Sequence, residues 1–253
     1  MVEAHERERK QRMERQRIFI DDILSNENMN RAYKQVIKNK GAAGIDGMEC
    51  NDLLSHLKVN GHQLRESIRN QSYKPMPVKR VEIPKDNGSK RKLGIPTVTD
   101  RMIQQAAAQV LTPIYERKFH TNSYGFRPGK SAQQAVLKAA EYMNEGYNWV
   151  VDIDLEKFFD TVEHDKMISI LNKEIKDGKT LSLIRKFLVS GVMVGEQIEE
   201  TEIGTPNDAP TAQNHADLRG VVLRNVFRSG GLCAFTGGGT SCGENAGQYV
   251  LVL

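Results

Sequence analysis

The stretch VVDIDLEKFFD (residues 150–160) predicts an apolar strand that ends in acidic residues and is followed by two phenylalanines. Side chains alternate along a strand, so Asp152 and Asp154 face one side and Ile153 faces the other. Carboxylates at the mouth of a sheet suit nucleotidyl transfer, because hard divalent ions such as magnesium prefer oxygen ligands and bracket the attacking and leaving oxygens. The alternative is a strand-end Asp that caps a turn or a helix, since the DxD pattern is short and common.

Upstream of this strand, the sequence predicts a hairpin followed by a long helix. The segment KRVEIPKDNGSKRKLGIP (residues 79–96) combines alternating apolar residues with a central Asn-Gly pair, which is typical of a β-hairpin. A helix is predicted over residues 98–117, with Thr97 or Thr99 as its N-cap. Its buried stripe is predicted to consist of Met102, Ile103, Val110 and Leu111.

Shorter helices and two loops complete the predicted order of elements. The glycine loop, NKGAAGIDG (residues 39–47), and the GFRP loop, SYGFRPGKS (residues 123–131), interrupt every periodic pattern. Residues 3–40 are predicted to be helical, with a second helix that starts after Asn28 or Asn30. Two short helices are predicted within residues 49–70. Further helices are predicted over residues 132–146 and 181–190. A strand pair is predicted around 191–203. The expected core positions of the N-terminal helices are Ile18, Phe19, Ile23, Leu24, Tyr33, Val36, Ile37, Leu53, Leu54, Leu57, Leu64 and Ile68.

Composition describes a globular protein in a reducing compartment. The 253 residues are 39% hydrophobic and 27% charged, which allows one large domain or two modest ones. No run of about 18 apolar residues is present, and the charged N-terminus lacks the apolar core of a signal peptide. Three cysteines without CxxC spacing, Cys50, Cys233 and Cys242, argue against a disulfide framework or a zinc site. We therefore expect a cytoplasmic protein without a membrane partner.

Positive charge is concentrated in one part of the chain. The net charge is only +4, yet residues 74–130 contain twelve Lys and Arg against four Asp and Glu. Such a local excess attracts polyanions, although a lone basic cluster is often only a solvated face. Glycines and prolines interleave the cluster here, which favours nucleic-acid binding.

Five segments in this order resemble a known family. KRKLGIPTVTDRMIQQA (residues 90–106), SYGFRPGKSAQQAV (123–136) and VVDIDLEKFFDTVEHDKM (150–167) resemble blocks of group II intron-encoded reverse transcriptases, also called maturases. The glycine loop resembles the extra N-terminal motif of these enzymes, and IGTP (203–206) resembles the opening of their next palm block. The resemblance covers about residues 28–206.

The resemblance implies an α+β fold with the fingers and partial palm of a right-hand polymerase, built on an antiparallel sheet with packed helices. The implied divisions are an N-terminal helical extension (1–40), fingers (41–147), a partial palm (148–206) and an atypical tail (207–253). The implied function is RNA-templated DNA synthesis coupled to intron splicing and mobility, with two Mg²⁺ ions. Implied partners are group II intron RNA, template RNA and a deoxynucleoside triphosphate, and a second copy could pair with the chain through the fingers. Non-catalytic RNA binding and a decayed gene product are the alternatives.

The resemblance also implies roles for residues of the acidic strand. Asp154 matches the first metal-binding aspartate of the palm, and the Leu155 carbonyl would add a metal ligand. Asp152 is expected to support the site rather than bind metal. Phe159 matches the aromatic gate that excludes a ribose 2′-hydroxyl, while ordinary core packing is the alternative for Phe158 and Phe159.

In the fingers, the resemblance implies contacts to the nucleotide and to RNA. Lys85, Lys90 and Arg91 on the hairpin would embrace the nucleotide triphosphate, although an exposed hairpin lysine is usually only solvated. Arg101 would contact a template phosphate, and the glycine loop would hold template and intron RNA. Arg127 could instead brace its own loop through a buried carboxylate. The positions expected against template RNA and the nascent base pair are Ile95, Pro96, Gly125, Phe126, Arg127 and Pro128.

After IGTP the sequence departs from the family. The family continues with Gln-Gly-Gly-Pro-Leu-Ser-Pro-Leu-Leu, whereas NDAPTAQ (residues 207–213) stands here. The Tyr-Ala-Asp-Asp segment with the other catalytic acids is absent, and beyond residue 213 the only acids are Asp217 and Glu244. Our hypothesis is a tail read out of frame; a natural extension is the rival. In either case we expect this polypeptide not to polymerise DNA by itself, because two-metal catalysis needs several carboxylates.

Overall fold

The structure of the protein is a computed structural model that describes residues 20–84, 88, 90–151, 160–205 and 249–251. The start of the predicted N-terminal helix, with Ile18 and Phe19, lies outside these residues. The first two described helices are α1 (Ile20–Ile23) and α2 (Asn26–Asn39). The second begins three residues before the earlier predicted start, because the Ser25 side chain accepts a hydrogen bond from the Asn28 N–H and caps it.

One continuous helix replaces the two short helices predicted within residues 49–70. A 3₁₀ turn (Cys50–Asp52) leads directly into α3 (Leu53–Arg69). The helix passes through Gly61 without a break, since a glycine inside a helix costs only about 1 kcal/mol. Leu53 and Ile68 are buried as predicted, but the prediction for Leu54 was wrong, because this side chain is 45% exposed.

The predicted hairpin is present and forms part of a four-stranded sheet. Strands β1 (Val78–Pro84) and β2 (Lys90–Ile95) pair antiparallel, from Lys79 opposite Ile95 to Pro84 opposite Lys90. The predicted strand pair near residue 191 also forms, and its first strand runs parallel to β1, with Val78 opposite Val192. The sheet is therefore mixed, whereas an antiparallel sheet was expected. The two hairpins are joined by parallel pairing of their first strands, where the buried Val78 and Val192 lie side by side.

Helix α4 (Val98–Glu116) lies at the centre of the core. Thr97 caps it by accepting a hydrogen bond from the Asp100 N–H at 3.1 Å, which selects Thr97 over Thr99. The apolar stripe is confirmed at Met102, Ile103 and Leu111, whereas Val110 is only partly buried. The α+β fold class is confirmed.

The remaining elements surround this core. Helix α5 (Ala132–Asn144) has no buried residue, and β3 (Trp149–Val151) forms the start of the predicted acidic strand. Helices α6 (His164–Asn172) and α7 (Gly178–Leu188) contribute to the main core, and β4 (Val192–Val194) and β5 (Gln197–Glu199) follow. Within the atypical tail, residues Tyr249–Leu251 form strand β6, parallel to β3. No helix in the described ranges combines the length and the apolar character of a membrane span.

A buried carboxylate connects the hairpin to the start of α4. Asp100 is 1% exposed and accepts hydrogen bonds from the Tyr73 hydroxyl at 2.6 Å, the Thr97 hydroxyl at 2.7 Å and the Met76 N–H at 3.2 Å. Burial raises the pKa of Asp100, and these three hydrogen bonds oppose the rise. Met76 precedes β1 and Thr97 follows β2, so one carboxylate fixes both ends of the hairpin.

We predict that Asp100→Asn changes how stability depends on pH. The raised pKa means that the folded state binds more protons than the unfolded chain from about pH 4 up to the raised value. Stability contributed by Asp100 therefore falls as pH rises through that window and is constant above it. The free energy of unfolding of the wild type minus that of Asp100→Asn, measured in urea at several pH values, should fall through the same window.

Asp165→Asn is the control, because the Asp165 side chain is 82% exposed and, among the described residues, pairs with the exposed Arg185. It should change the free energy of unfolding by about 0.5 kcal/mol or less. A difference between wild type and Asp100→Asn that does not vary with pH would contradict the assignment of a raised pKa to Asp100.

Candidate functional site

The predicted metal-binding residues lie just beyond β3. Asp152, Asp154, Leu155, Phe158 and Phe159 are outside the described residues, and the description resumes at Asp160. In the described part of the chain, no group of three or more His, Cys, Asp or Glu residues is arranged to hold a metal ion. The strand that leads to the acids is present, and the roles of the acids stay predictions.

The segment after the acidic strand is joined to the IGTP segment by backbone contacts. The Gly204 N–H donates to the Val162 carbonyl at 2.9 Å, and the buried His164 ring donates from Nε2 to the Gly204 carbonyl at 2.5 Å. Gly204 has a φ of +83°, and a Cβ there would lie 2.7 Å from the Asp160 carbonyl oxygen. The sequence did not single out His164, since a lone histidine gives no local signal of a contact forty residues away.

Of the three hairpin cations predicted to bind triphosphate, Lys90 is described and is exposed. Lys90 lies 2.7 Å from Glu82, and a hydrogen bond from Lys90 lowers the pKa of Glu82. Solvent screens this pair, so Lys90 can exchange Glu82 for another anion. For Arg91 only the backbone is described, opposite Ile83, and Lys85 lies outside the described residues. The predicted triphosphate contacts stay predictions.

In the GFRP loop, the structure favours the bracing alternative for Arg127. Its side chain is 7% exposed, and Nε and Nη2 donate to Glu116 at 2.8 and 2.6 Å. Nη1 donates to the carbonyls of His120 and Ser123, both at 2.7 Å, and the guanidinium lies over the Phe119 ring. The guanidinium therefore binds groups of the protein itself, and these interactions fix the loop to the end of α4.

The residues around Arg127 do face outward. Gly125 and Pro128 are exposed, and Phe126 is 50% exposed. Phe126 also has a φ of +53°, a backbone conformation that is rare for a bulky residue. The loop therefore presents an aromatic ring at its surface, as a template contact requires.

The glycine loop packs on the start of α4. The Arg101 Nη2 donates to the Ala42 carbonyl at 2.7 Å, and the Cys50 thiol donates to the Gly41 carbonyl at 3.3 Å. Gly44 approaches so closely that a Cβ there would lie 2.6 Å from the Thr97 Cα. Burial lowers the pKa of Arg101.

Two predicted template contacts lie beside this packed loop. Pro96 is buried and Gly44 lies against its backbone, so Pro96 is not at the surface where RNA could contact it. Ile95 is half-buried. The importance of Cys50 was missed by sequence reasoning, which considered this residue only for disulfides and zinc.

Comparisons with known proteins agree on one family. The family model described as "Reverse transcriptase (RNA-dependent DNA polymerase)" matches residues 83–215, just over half of the chain. Protein YkfC of Escherichia coli is 35% identical over 67% of this chain and 46% of its own length. The group II intron-encoded protein LtrA of Lactococcus lactis is 38% identical over 69% of this chain and 29% of its own length. The chain thus spans less than half of either relative.

One solved structure has a similar fold. A chain of the partial Cas6-RT-Cas1–Cas2 complex superposes with a TM-score of 0.52 at 23% identity, covering 83% of this chain and 34% of its own. At this identity the likeness concerns the fold alone.

We predict that Gly204→Ala destabilises the chain by about 3 kcal/mol or more, because the added methyl group meets rigid backbone and the left-handed φ is strained. Gly195→Ala is the matched control, since Gly195 has a φ of +62° but open space around its Cβ position. It should cost only the strain, about 1–2 kcal/mol. Urea unfolding measures both, and equal losses would contradict the close contact at Gly204.

Proposed function

We propose that this chain, which belongs to the reverse transcriptase (RNA-dependent DNA polymerase) family, is the fingers and first part of the palm of a group II intron-type enzyme and binds template and intron RNA. The similarity to the Lactococcus group II intron-encoded protein confirms the resemblance predicted from the motifs. Because the chain spans only part of its relatives, the activity of a whole enzyme is itself part of this proposal.

The proposal of RNA binding rests on the acidic residues of the basic stretch, because those that are described are engaged in contacts within the protein. Of the four acids in residues 74–130, Asp100 is buried in its hydrogen-bond network and Glu116 holds Arg127. Glu82 is paired with Lys90, and Asp86 lies outside the described residues. Several exposed cations of the stretch therefore form no ion pair within the described part of the chain. They include Lys74, Lys79, Lys92 and Arg117.

Such cations bind the phosphate backbone of RNA. Each neutralised phosphate releases condensed counterions. The logarithm of the binding constant therefore falls linearly with the logarithm of the salt concentration, with a slope proportional to the number of phosphate contacts. The surface loops add shape, since the exposed Phe126 ring can stack on a base and the glycine loop allows close approach of RNA to backbone. These features support binding of single-stranded template and of structured intron RNA.

In the polymerase itself, Asp154 and the Leu155 carbonyl would hold Mg²⁺, Phe159 would exclude a ribose 2′-hydroxyl, and the hairpin cations would bind the triphosphate. Magnesium, when bound, would stabilise charge on the attacking and leaving oxygens. The oxygen donors present match this ion in kind but fall short in number, since the Tyr-Ala-Asp-Asp acids are absent from the sequence. We therefore propose that the chain binds RNA and does not polymerise alone. Pairing of two copies through the fingers and a cytoplasmic location stay predictions.

We expect the triple variant Lys74→Ala, Lys79→Ala, Lys92→Ala to weaken binding of a group II intron RNA and to reduce the dependence of log Kd on log salt. Each lost phosphate contact removes about 0.7–0.9 from that slope. Fluorescence anisotropy at several salt concentrations measures both quantities.

The matched control changes three exposed lysines outside the basic stretch, Lys173→Ala, Lys176→Ala and Lys179→Ala. It removes the same net charge and should leave the slope nearly unchanged. Equal effects of the two triple variants would mean that RNA is attracted only by net charge, and the proposed surface would be wrong.

Primer extension on an RNA template with magnesium tests the catalytic part. We expect no extension from the wild type or from Asp154→Ala, because one aspartate cannot fix two metal ions. Extension by the wild type that Asp154→Ala abolishes would mean that other residues of this chain complete the metal site. A full-length relative serves as the positive control.

A further inference from the structure

Arg101 is half-buried, and its guanidinium contacts another segment of the protein. It lies in the first turn of α4, and its guanidinium reaches the glycine loop, where Nη2 donates to the Ala42 carbonyl at 2.7 Å. A Cβ on Gly41 would lie 1.9 Å from Nη1, so only glycine leaves room for the guanidinium. Its Nε is buried without a hydrogen-bond partner in the described part of the chain.

Two further contacts fix the same loop independently of Arg101. The Cys50 thiol donates to the Gly41 carbonyl, and Gly44 lies against the backbone of Thr97. The carbonyl oxygens of Gly41 and Ala42 are therefore both bound by protein donors. Carbonyl oxygens carry partial negative charge and would repel an RNA phosphate, so holding them inward makes the outer side of the loop a better RNA contact.

A role as a direct phosphate ligand fits these contacts poorly. Burial disfavours the charged form of Arg101, and the guanidinium is nevertheless held against the loop, where it donates to the Ala42 carbonyl. The exposed lysines nearby in the sequence bind phosphate without such a cost. A planar guanidinium can donate from Nη2 to the Ala42 carbonyl while Nη1 packs against Gly41, an arrangement that a lysine ammonium cannot reproduce.

We propose that Arg101 is a positioning residue, which holds the glycine loop in its RNA-binding conformation and does not itself bind an RNA phosphate. The inference rests on the proposed RNA binding and assigns Arg101 a part in it that differs from the template contact implied by the family resemblance. Arg101 and Gly41 then act as a pair, since each is required for the other to reach its place.

The test compares Arg101→Ala, Arg101→Lys and Gly41→Ala with Gly61→Ala, whose added methyl group would lie in ordinary contact, 3.9 Å from the Leu57 Cβ. Kd for the intron RNA is measured at several salt concentrations. We expect each of the first three variants to weaken binding about tenfold at every salt concentration, with an unchanged salt slope, and Gly61→Ala to bind like the wild type.

A direct phosphate contact would give a different result. Arg101→Ala would then reduce the salt slope by about one, Arg101→Lys would restore most of the affinity, and Gly41→Ala would have little effect. That pattern, or wild-type affinity in Arg101→Ala, overturns the proposal.

The reactivity of Cys50 separates loop position from RNA binding. Cys50 is buried and bound to the loop, so its rate of alkylation, followed by mass spectrometry of its peptide, should rise in Arg101→Ala and Gly41→Ala but not in Gly61→Ala. Unchanged alkylation would overturn the proposal. Raised alkylation without loss of RNA affinity would overturn it too, because the loop would then be positioned for something other than RNA. The RNA affinity of the triple variant Lys74→Ala, Lys79→Ala, Lys92→Ala separates this failure from a failure of the proposed function. If that variant also bound RNA like the wild type, the proposed function itself would be wrong.

Discussion

The buried Asp100 carboxylate is the constraint on which the arrangement of the fingers depends. It binds Tyr73 and Met76 before the hairpin and Thr97 after it, so both strands leave the core from one point. Lys186 extends the connection, because its ammonium donates to the Tyr73 carbonyl at 3.0 Å and so joins α7 to the same place. A charged group without partners at this depth would destabilise the fold, and here hydrogen bonds from three groups offset much of that cost.

Helix α4 connects this constraint to two surface loops, the glycine loop and the GFRP loop. Arg101 fixes the glycine loop at its start, and Glu116 fixes the GFRP loop through Arg127 at its end. Fifteen residues separate the two anchors, which places them about 22 Å apart along the helix. Both motif arginines therefore bind other parts of the protein, and the proposed RNA contacts fall to exposed lysines, loop backbone and Phe126.

Sequence patterns predicted the parts of this scaffold that depend on neighbours in the chain. The hairpin follows from its Asn-Gly turn and alternation, and α4 follows from its cap and apolar stripe. Contacts between distant segments were not predictable, since Tyr73 and Asp100 are separated by 27 residues and nothing local marks them as partners. The parallel pairing of Val78 with Val192 was missed for the same reason. Leu54 was misplaced because apolar spacing alone cannot tell which side of a short helical pattern faces the core.

Folding and catalysis depend on different residues of this chain. The core is built from helices on both sides of the acidic strand, and the contact between residues 160–164 and 203–205 is made largely by backbone. Nothing in that contact requires a second or third catalytic acid. Catalysis, in contrast, needs several carboxylates held within reach of two metal ions. A chain of this family that lacks those carboxylates can therefore keep its scaffold, its basic surface and the two loops that Arg101 and Arg127 hold.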